Sequence, residues 1–186
     1  VFDSTSRRLF VTSFYDGAKM LRLPAEKLAV EELWRKKGLN EKQTDGLHSI
    51  MSTPIIDAKF VYGVDSYGEL RCLEAATGSE KWRGDDYGHG QLLLAGGHLV
   101  ILSETGEIAL VKASADSFQE ITSLNAISGK TWNNPAIAGG RLYIRNGTQM
   151  ACYDISKDSA GGSAPVFINP SESVQIIAAG LGLMLL

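Results

Sequence analysis

The sequence predicts an all-β chain folded as the four-stranded blades of a propeller, and three observations carry that prediction. The same order of strand, turn, strand, turn, strand recurs along the chain at intervals of roughly 40 residues, the period of propeller blades. The apolar runs are short, rich in Val, Ile, Leu and Tyr, and bounded by Gly or Pro, which is how strands read; the i, i+3, i+4, i+7 spacing of an amphipathic helix is missing. The turns between the runs are rich in Gly and Asp, residues that accept the backbone of tight turns.

The clearest copy runs Ser52-Thr53-Pro54-Ile55-Ile56-Asp57, then Phe60 to Asp65, then Gly68-Glu69-Leu70-Arg71-Cys72-Leu73. The next runs Gln91 to Gly97, then Leu99 to Leu102, then Gly106 to Val111, and Gly68 to Gly106 is an offset of 38. A further copy runs Asn134 to Gly140, Leu142 to Ile144 and Met150 to Asp154, which puts Cys72 and Cys152 at equivalent positions. The chain start supplies one more, Leu9 to Ser13 followed by Gly17 to Leu21. From Gly17 to Gly68 is 51 residues, and the excess reads as an inserted polar loop over Lys36 to Asp45. The blades are therefore expected at about 1–38, 48–88, 90–128 and 131–156, and residues 157–186 are expected to be a linker with the start of another blade. The ring is expected to be incomplete, with further blades in a larger parent chain. The apolar run Val174 to Leu186 is too short to span a bilayer, which takes about 20 residues. Two readings stand for it, a blade strand or the start of a membrane anchor; an offset of 41 between Gly139 and Gly180 favours the blade.

The segment Cys72-Leu73-Glu74-Ala75-Ala76-Thr77-Gly78-Ser79-Glu80-Lys81-Trp82 resembles the signature of the pyrroloquinoline-quinone-like (PQQ-like) propeller repeat, Ala-Leu-Asp-Ala-x-Thr-Gly-x-x-x-Trp. Thr77, Gly78 and Trp82 match outright, and Gly68 falls in place. The first copy keeps Trp34 without Thr-Gly; the third lacks both Thr-Gly and Trp. The chain looks most like bacterial repeat proteins related to the outer-membrane-protein assembly lipoprotein. That resemblance implies blade-docking roles for Thr77, Gly78, Trp82, Trp34 and Gly68: a turn that tightens the last hairpin of a blade, and an indole packed on its neighbour. It also implies a periplasmic or extracellular location, and a non-catalytic module that binds another protein or an extracellular polymer. The alternative it leaves open is a fragment of a PQQ-dependent quinoprotein dehydrogenase whose catalytic blades lie outside this chain.

Composition narrows the functional classes. Eighteen basic against 21 acidic residues give a net charge of −3, which argues against nucleic acid as a partner, since that needs a basic face to replace phosphate counterions. No direct membrane span is expected. Cys72 and Cys152 are too few for a disulfide framework and are expected to be free thiols. No nucleophile–base constellation, phosphate-binding loop or metal-ligand spacing is present, so catalytic, cofactor and metal residues are expected to be none. Asp85-Asp86 is the nearest thing to an oxygen-ligand cluster, and it reads as part of a solvated loop between Gly84 and Gly90. Asn146-Gly147-Thr148 is formally a glycosylation acceptor in a turn. The candidate binding residues are His48, Trp132 and Arg145, at blade entries or strand ends, because Trp and Arg are frequent anchors of interfaces. Against that stand a capping role for His48, inter-blade packing for Trp132 and a solvent-facing Arg145.

Overall fold

A computed structural model of the chain describes residues 1–57 and 59–156, with the strand backbone at Val166–Ile168 and Ala179–Gly180. Four antiparallel sheets follow one another. The first blade holds β1 (Phe2–Asp3), β2 (Arg8–Ser13), β3 (Gly17–Arg22) and β4 (Glu31–Lys36). The second holds β5 (Ile55–Asp57), β6 (Phe60–Val64), β7 (Glu69–Glu74) and β8 (Glu80–Asp86). The third holds β9 (Gln91–Ala95), β10 (His98–Leu102), β11 (Glu107–Lys112) and β12 (Glu120–Asn125). The fourth holds β13 (Ala136–Ala138), β14 (Arg141–Arg145), β15 (Met150–Asp154) and β16 (Val166–Ile168), and β17 (Ala179–Gly180) pairs with β15 in parallel. Each blade is an up-and-down meander of neighbouring hairpins, so nearly all pairing is local in sequence.

Successive blades pack face to face, and the alternation of side chains along each strand sets which face meets which neighbour. In β6, Val61 turns toward the first blade, while Tyr62 and Val64 turn toward the third. Three apolar layers result. Phe10, Met20, Leu47, Val61 and Leu73 fill the first junction. Tyr62, Leu70, Cys72, Trp82, Leu99 and Ile101 fill the second. Val100, Leu102, Leu110, Leu142, Ile144 and Tyr153 fill the third. A middle blade is thus covered on both faces, which is why Leu70-Arg71-Cys72-Leu73 is buried without a break instead of alternating.

Two turn glycines are demanded by close approach. Gly68 and Gly106 end the second-to-third-strand turns with φ of 93° and 91°, and a Cβ would overlap Asp86 Oδ1 at the first and Ile127 O at the second.

The structure departs from the sequence reading in three places. β1 is a two-residue strand ahead of the first recognised run at Leu9, held by Phe2↔Leu9 and Asp3↔Arg8 pairing. β8 continues through Asp86, so Asp85 and Asp86 end a strand and not a loop; Glu69↔Asp86 pairing extends the ladder past Gly84. Trp132 is 42% exposed, not packed between blades. Of the run Val174 to Leu186 only the strand backbone at Ala179–Gly180 is described, paired with β15; the rest lies outside the described residues.

Candidate functional site

Strand order places one set of loops on a common rim: the turns within β2–β3, β6–β7, β10–β11 and β14–β15, and the blade-to-blade connections 37–54, 87–90 and 126–135. Each connection is stitched to the turns of both blades it joins. Tyr87 N donates to Gly68 O of the second blade (2.8 Å), and Tyr87 O accepts from Glu104 N of the third (3.0 Å). Thr131 N donates to Glu104 O of the third blade (2.8 Å), and Asn146 Nδ2 of the fourth donates to Ser128 O (2.8 Å). Asn146 is 6% exposed and its amide is engaged in this bond, so the formal sequon sits at a buried structural amide.

His48 belongs to the same stitching. It is 1% exposed. Its Nδ1–H donates to Phe14 O of the first blade's turn (2.7 Å), and its Nε2 lies 3.2 Å from the Thr44 hydroxyl. Ser66 Oγ, on the second blade's turn, donates to His48 O. His48 thus bonds the turns of both blades it lies between, and a ligand in solution has no route to its ring.

Below the long connection lies a buried charge network. Arg71, 1% exposed, places Nη2 2.6 Å from Asp65 Oδ2 and 2.8 Å from Glu69 Oε2. Its Nη1 donates to Gly46 O (2.6 Å) and Thr44 O (3.0 Å), and Arg83 Nη2 also donates to Thr44 O (2.8 Å). Burial raises the Asp65 pKa from its ordinary value, against the Arg71 charge that lowers it. An arginine with several donors can hold two carbonyls and two carboxylates at once, so this side chain fastens the inserted loop to the second blade.

Trp132 is the centre of a polar cluster that spans two blades. Its Nε1 donates to Glu104 Oε1 (3.0 Å), and Lys130 Nζ stands 4.1 Å from its ring centroid, in cation–π contact. His89 Nδ1–H donates to Glu104 Oε2 (2.8 Å), and the His89 ring meets the indole edge-on at 6.2 Å. The donors from His89 and Trp132 hold the Glu104 carboxyl down to about 2. Glu104 thus fixes an exposed indole in place. Arg145 is exposed at the end of β14, opposite Met150, on the same rim. His48, Trp132 and Arg145 share this rim but have separate neighbours. Glu104 and Lys130 were not singled out in the sequence; Glu104 stands 15 residues from His89 and 28 from Trp132, and no local spacing marks such a set.

The repeat-signature residues lie elsewhere, at the outer parts of the blade junctions. Trp34 Nε1 of the first blade donates to Ala75 O of the second (2.9 Å), and its ring lies over Gly78, where a Cβ would come within 2.7 Å. Gly78 has φ of 72° and its N–H bonds Glu74 O (2.8 Å), while Thr77 Oγ1 donates to Glu74 Oε2 (2.6 Å). Trp82, 8% exposed, repeats the arrangement one blade on: Nε1 donates to Ser114 O (2.7 Å), and the ring contacts Tyr62 and Phe118. Cys72 and Cys152 are both free, Cys72 buried with its thiol pushed up to about 12 by desolvation.

Among the described residues, no cluster of three or more His, Cys, Asp or Glu has the geometry of a metal site.

Comparison with known proteins gives the same architecture. No curated protein matches the sequence. Among solved structures, BamB from Moraxella catarrhalis superposes with a TM-score of 0.63 at 14% identity, over 83% of this chain and 45% of that one. The computationally designed Ika8 protein superposes with a TM-score of 0.64 at 13% identity, over 83% of this chain and 44% of that one. The designed Ika4 protein gives a TM-score of 0.50 at 15% identity, over 60% of this chain and 69% of that one. The chain thus spans less than half the length of the first two, and these likenesses establish the propeller fold alone. The family model for outer membrane protein assembly factor BamB matches residues 27–121, from the end of the first blade through Trp34, the Thr77-Gly78 turn and Trp82 into the third blade, and by that match the chain belongs to the BamB-like family of PQQ-like repeat proteins.

Proposed function

We propose that the chain is a non-catalytic scaffolding module that engages another protein through the rim carrying Trp132, on the extracytoplasmic side of the cell. One observation supports this most. Of the twelve large hydrophobic side chains exposed among the described residues, six stand on that rim, namely Tyr15, Leu39, Ile50, Met51, Tyr67 and Trp132. Only Leu28 and Val30 stand on the loops of the opposite rim. Apolar groups concentrated on one face and set among polar ones are the mark of an interaction surface. Trp132 is the proposed anchor, pre-ordered by Glu104 and Lys130; Arg145 is a further polar group of the same rim, and buried His48 shapes the rim without touching the partner. Thr77, Gly78, Trp82, Trp34 and Gly68 are proposed to serve blade docking only. The family description names outer-membrane protein assembly, which fits a periplasmic protein partner.

The test is site-specific photocrosslinking in cells, from residues 67 and 132 on this rim and 28 and 97 on the other. Discrete polypeptide adducts from 67 and 132, and none from 28 and 97, are expected. Adducts confined to the opposite rim would overturn the reading, as would a rim that captures no polypeptide.

A further inference from the structure

In the turn between β14 and β15, Asn146 is followed by Gly147. With no side chain on the second residue, its backbone nitrogen has the freest approach to the asparagine side-chain carbon. The folded turn engages every polar atom of that amide. Oδ1 accepts from Thr148 N (2.9 Å), Gln149 N (2.8 Å) and the Thr148 hydroxyl (3.2 Å). Nδ2 donates to Ser128 O (2.8 Å) and to Thr131 Oγ1 (3.4 Å). Two backbone N–H groups on one side and a carbonyl on the other settle which atom is oxygen and which is nitrogen. Ser128 N in turn donates to Gln149 Oε1 (2.9 Å), so the fourth blade grips Ser128 by both of its backbone groups. The connection held in this way carries Lys130 and Trp132.

The equivalent turns show what the amide is for. Asp65, Ser103 and Asn146 each open the turn after a blade's second strand, and their N–H groups donate across it to Glu69 O, Glu107 O and Gln149 O. Asp65 Oδ1 accepts from Tyr67 N (2.8 Å) and Glu69 N (3.1 Å), as Asn146 Oδ1 accepts from two turn N–H groups. An acid thus serves the turn as well as an amide does. The other oxygen of Asp65 is met by the Arg71 guanidinium, 2.6 Å away. At Asn146 the other atom faces a carbonyl, and the Thr131 hydroxyl beside it is committed to Gly129 O (3.0 Å). Only a donor fits there.

From this we infer that Asn146 is a self-modifying site: its deamidation, held off by the fold, irreversibly unfastens the connection that carries Trp132. The Gly147 nitrogen attacks the Asn146 side-chain carbonyl carbon. The new C–N bond forms as the bond to Nδ2 breaks, and ammonia leaves with the proton that the Gly147 N–H gives up. Water then opens the five-membered imide at either carbonyl, to aspartate or isoaspartate. The native bonds hold the amide away from this attack, so cyclisation waits until the turn opens from Ser128. Aspartate keeps the turn bonds but sets a carboxylate oxygen against Ser128 O. Isoaspartate lengthens the backbone of the turn itself. No partner takes part, so the outcome is independent of the proposed function.

The experiment is incubation of the whole chain at mildly alkaline pH, folded and in urea, with peptide mass spectrometry at residue 146. Conversion in the folded protein should be at least about tenfold slower than in urea, because only the opened fraction reacts. Gly147→Ala should slow the reaction in urea; a Cβ at that position meets nothing within 4 Å, so the variant should fold. Asn146→Asp reproduces the product. At neutral pH its amide hydrogen exchange should be faster across residues 126–135 and unchanged in the first two blades. A carboxylate held against a carbonyl takes up a proton early as pH falls, and the protonated form donates to Ser128 O again. Mild acidification, well above the range where Glu104 titrates, should therefore restore protection. Equal conversion in folded protein and in urea would overturn the inference. So would unchanged exchange across 126–135 in Asn146→Asp at neutral pH, a loss of protection throughout the chain, or a loosening that persists on acidification.

Discussion

Trp82→Ala probes the blade-docking role most sharply. The side chain is 8% exposed, lies between the rings of Tyr62 and Phe118, and donates its only N–H to Ser114 O of the next blade. Truncating a buried aromatic to Ala costs ~3–5 kcal/mol, combining lost burial with the cavity left behind. Trp82→Phe keeps most of the ring and deletes the donor, so its cost should be nearer ~0.5–1.5 kcal/mol for the hydrogen bond plus a smaller packing loss. Lys81 is exposed on the other face of β8, and Lys81→Ala should stay within ~0.5 kcal/mol. Urea unfolding followed by far-UV circular dichroism measures all three without relying on indole fluorescence. A domain is stable by only ~5–15 kcal/mol, so Trp82→Ala could remove the fold outright; the Phe variant then carries the comparison. Equal midpoints for Trp82→Phe, Trp82→Ala and Lys81→Ala would refute the reasoning that this indole fastens the second blade to the third.

Three further outcomes are expected. Thiol titration should count two groups in denaturant; in the native protein Cys152 should react and Cys72 should not, since burial raises its thiol pKa to about 12. Arg71→Met should cost ~3–5 kcal/mol by stranding the buried Asp65 charge. The penalty should shrink as pH falls and Asp65 takes up a proton, and Asp65→Leu combined with Arg71→Met should recover part of the loss; a pH-independent penalty would contradict this. Glu104 is held in the fold at about 2, below its ordinary 4.5, so its stabilising effect is complete above the ordinary carboxylate range and is lost as pH falls toward 2. The gap in urea midpoint between the native protein and Glu104→Gln should therefore close on acidification, and a constant gap would exclude this role.

The fold was legible where the sequence repeats itself. The 38-residue offset, the Thr77-Gly78 to Trp82 segment and the Gly-bounded apolar runs are all local signals, because a propeller blade pairs each strand with its sequence neighbour. β1 escaped because Phe2–Asp3 is too short for any alternation. The end of β8 escaped because Gly84, Asp85 and Asp86 have turn chemistry, and the pairing with Glu69 overrides it. The rim was harder to read. His48 and Trp132 look alike as blade-entry residues, yet one is fully enclosed by Phe14, Thr44 and Ser66 while the other stands in solvent on Lys130 and Glu104. The long-range part of that difference, Phe14 at 34 and Ser66 at 18 residues from His48 and Glu104 at 28 from Trp132, is what spacing alone does not reveal. Nor does the sequence show that Tyr143–Cys152 repeats Tyr62–Cys72 as a cross-strand pair, since the register of each hairpin must be known first.

The central claim is that the rim bearing Tyr15, Tyr67, Met51 and Trp132 is the surface this protein uses. The most direct measurement is oxidative footprinting of the protein isolated with its cellular partner, compared with the protein alone, because Met, Trp and Tyr side chains report their own solvent access. The account predicts that Met51, Tyr67 and Trp132 lose reactivity in the complex while Tyr143, in the middle of β14 and away from the rim, keeps the value it has in the protein alone. Unchanged reactivity at Met51, Tyr67 and Trp132 in a complex that is demonstrably formed would contradict it.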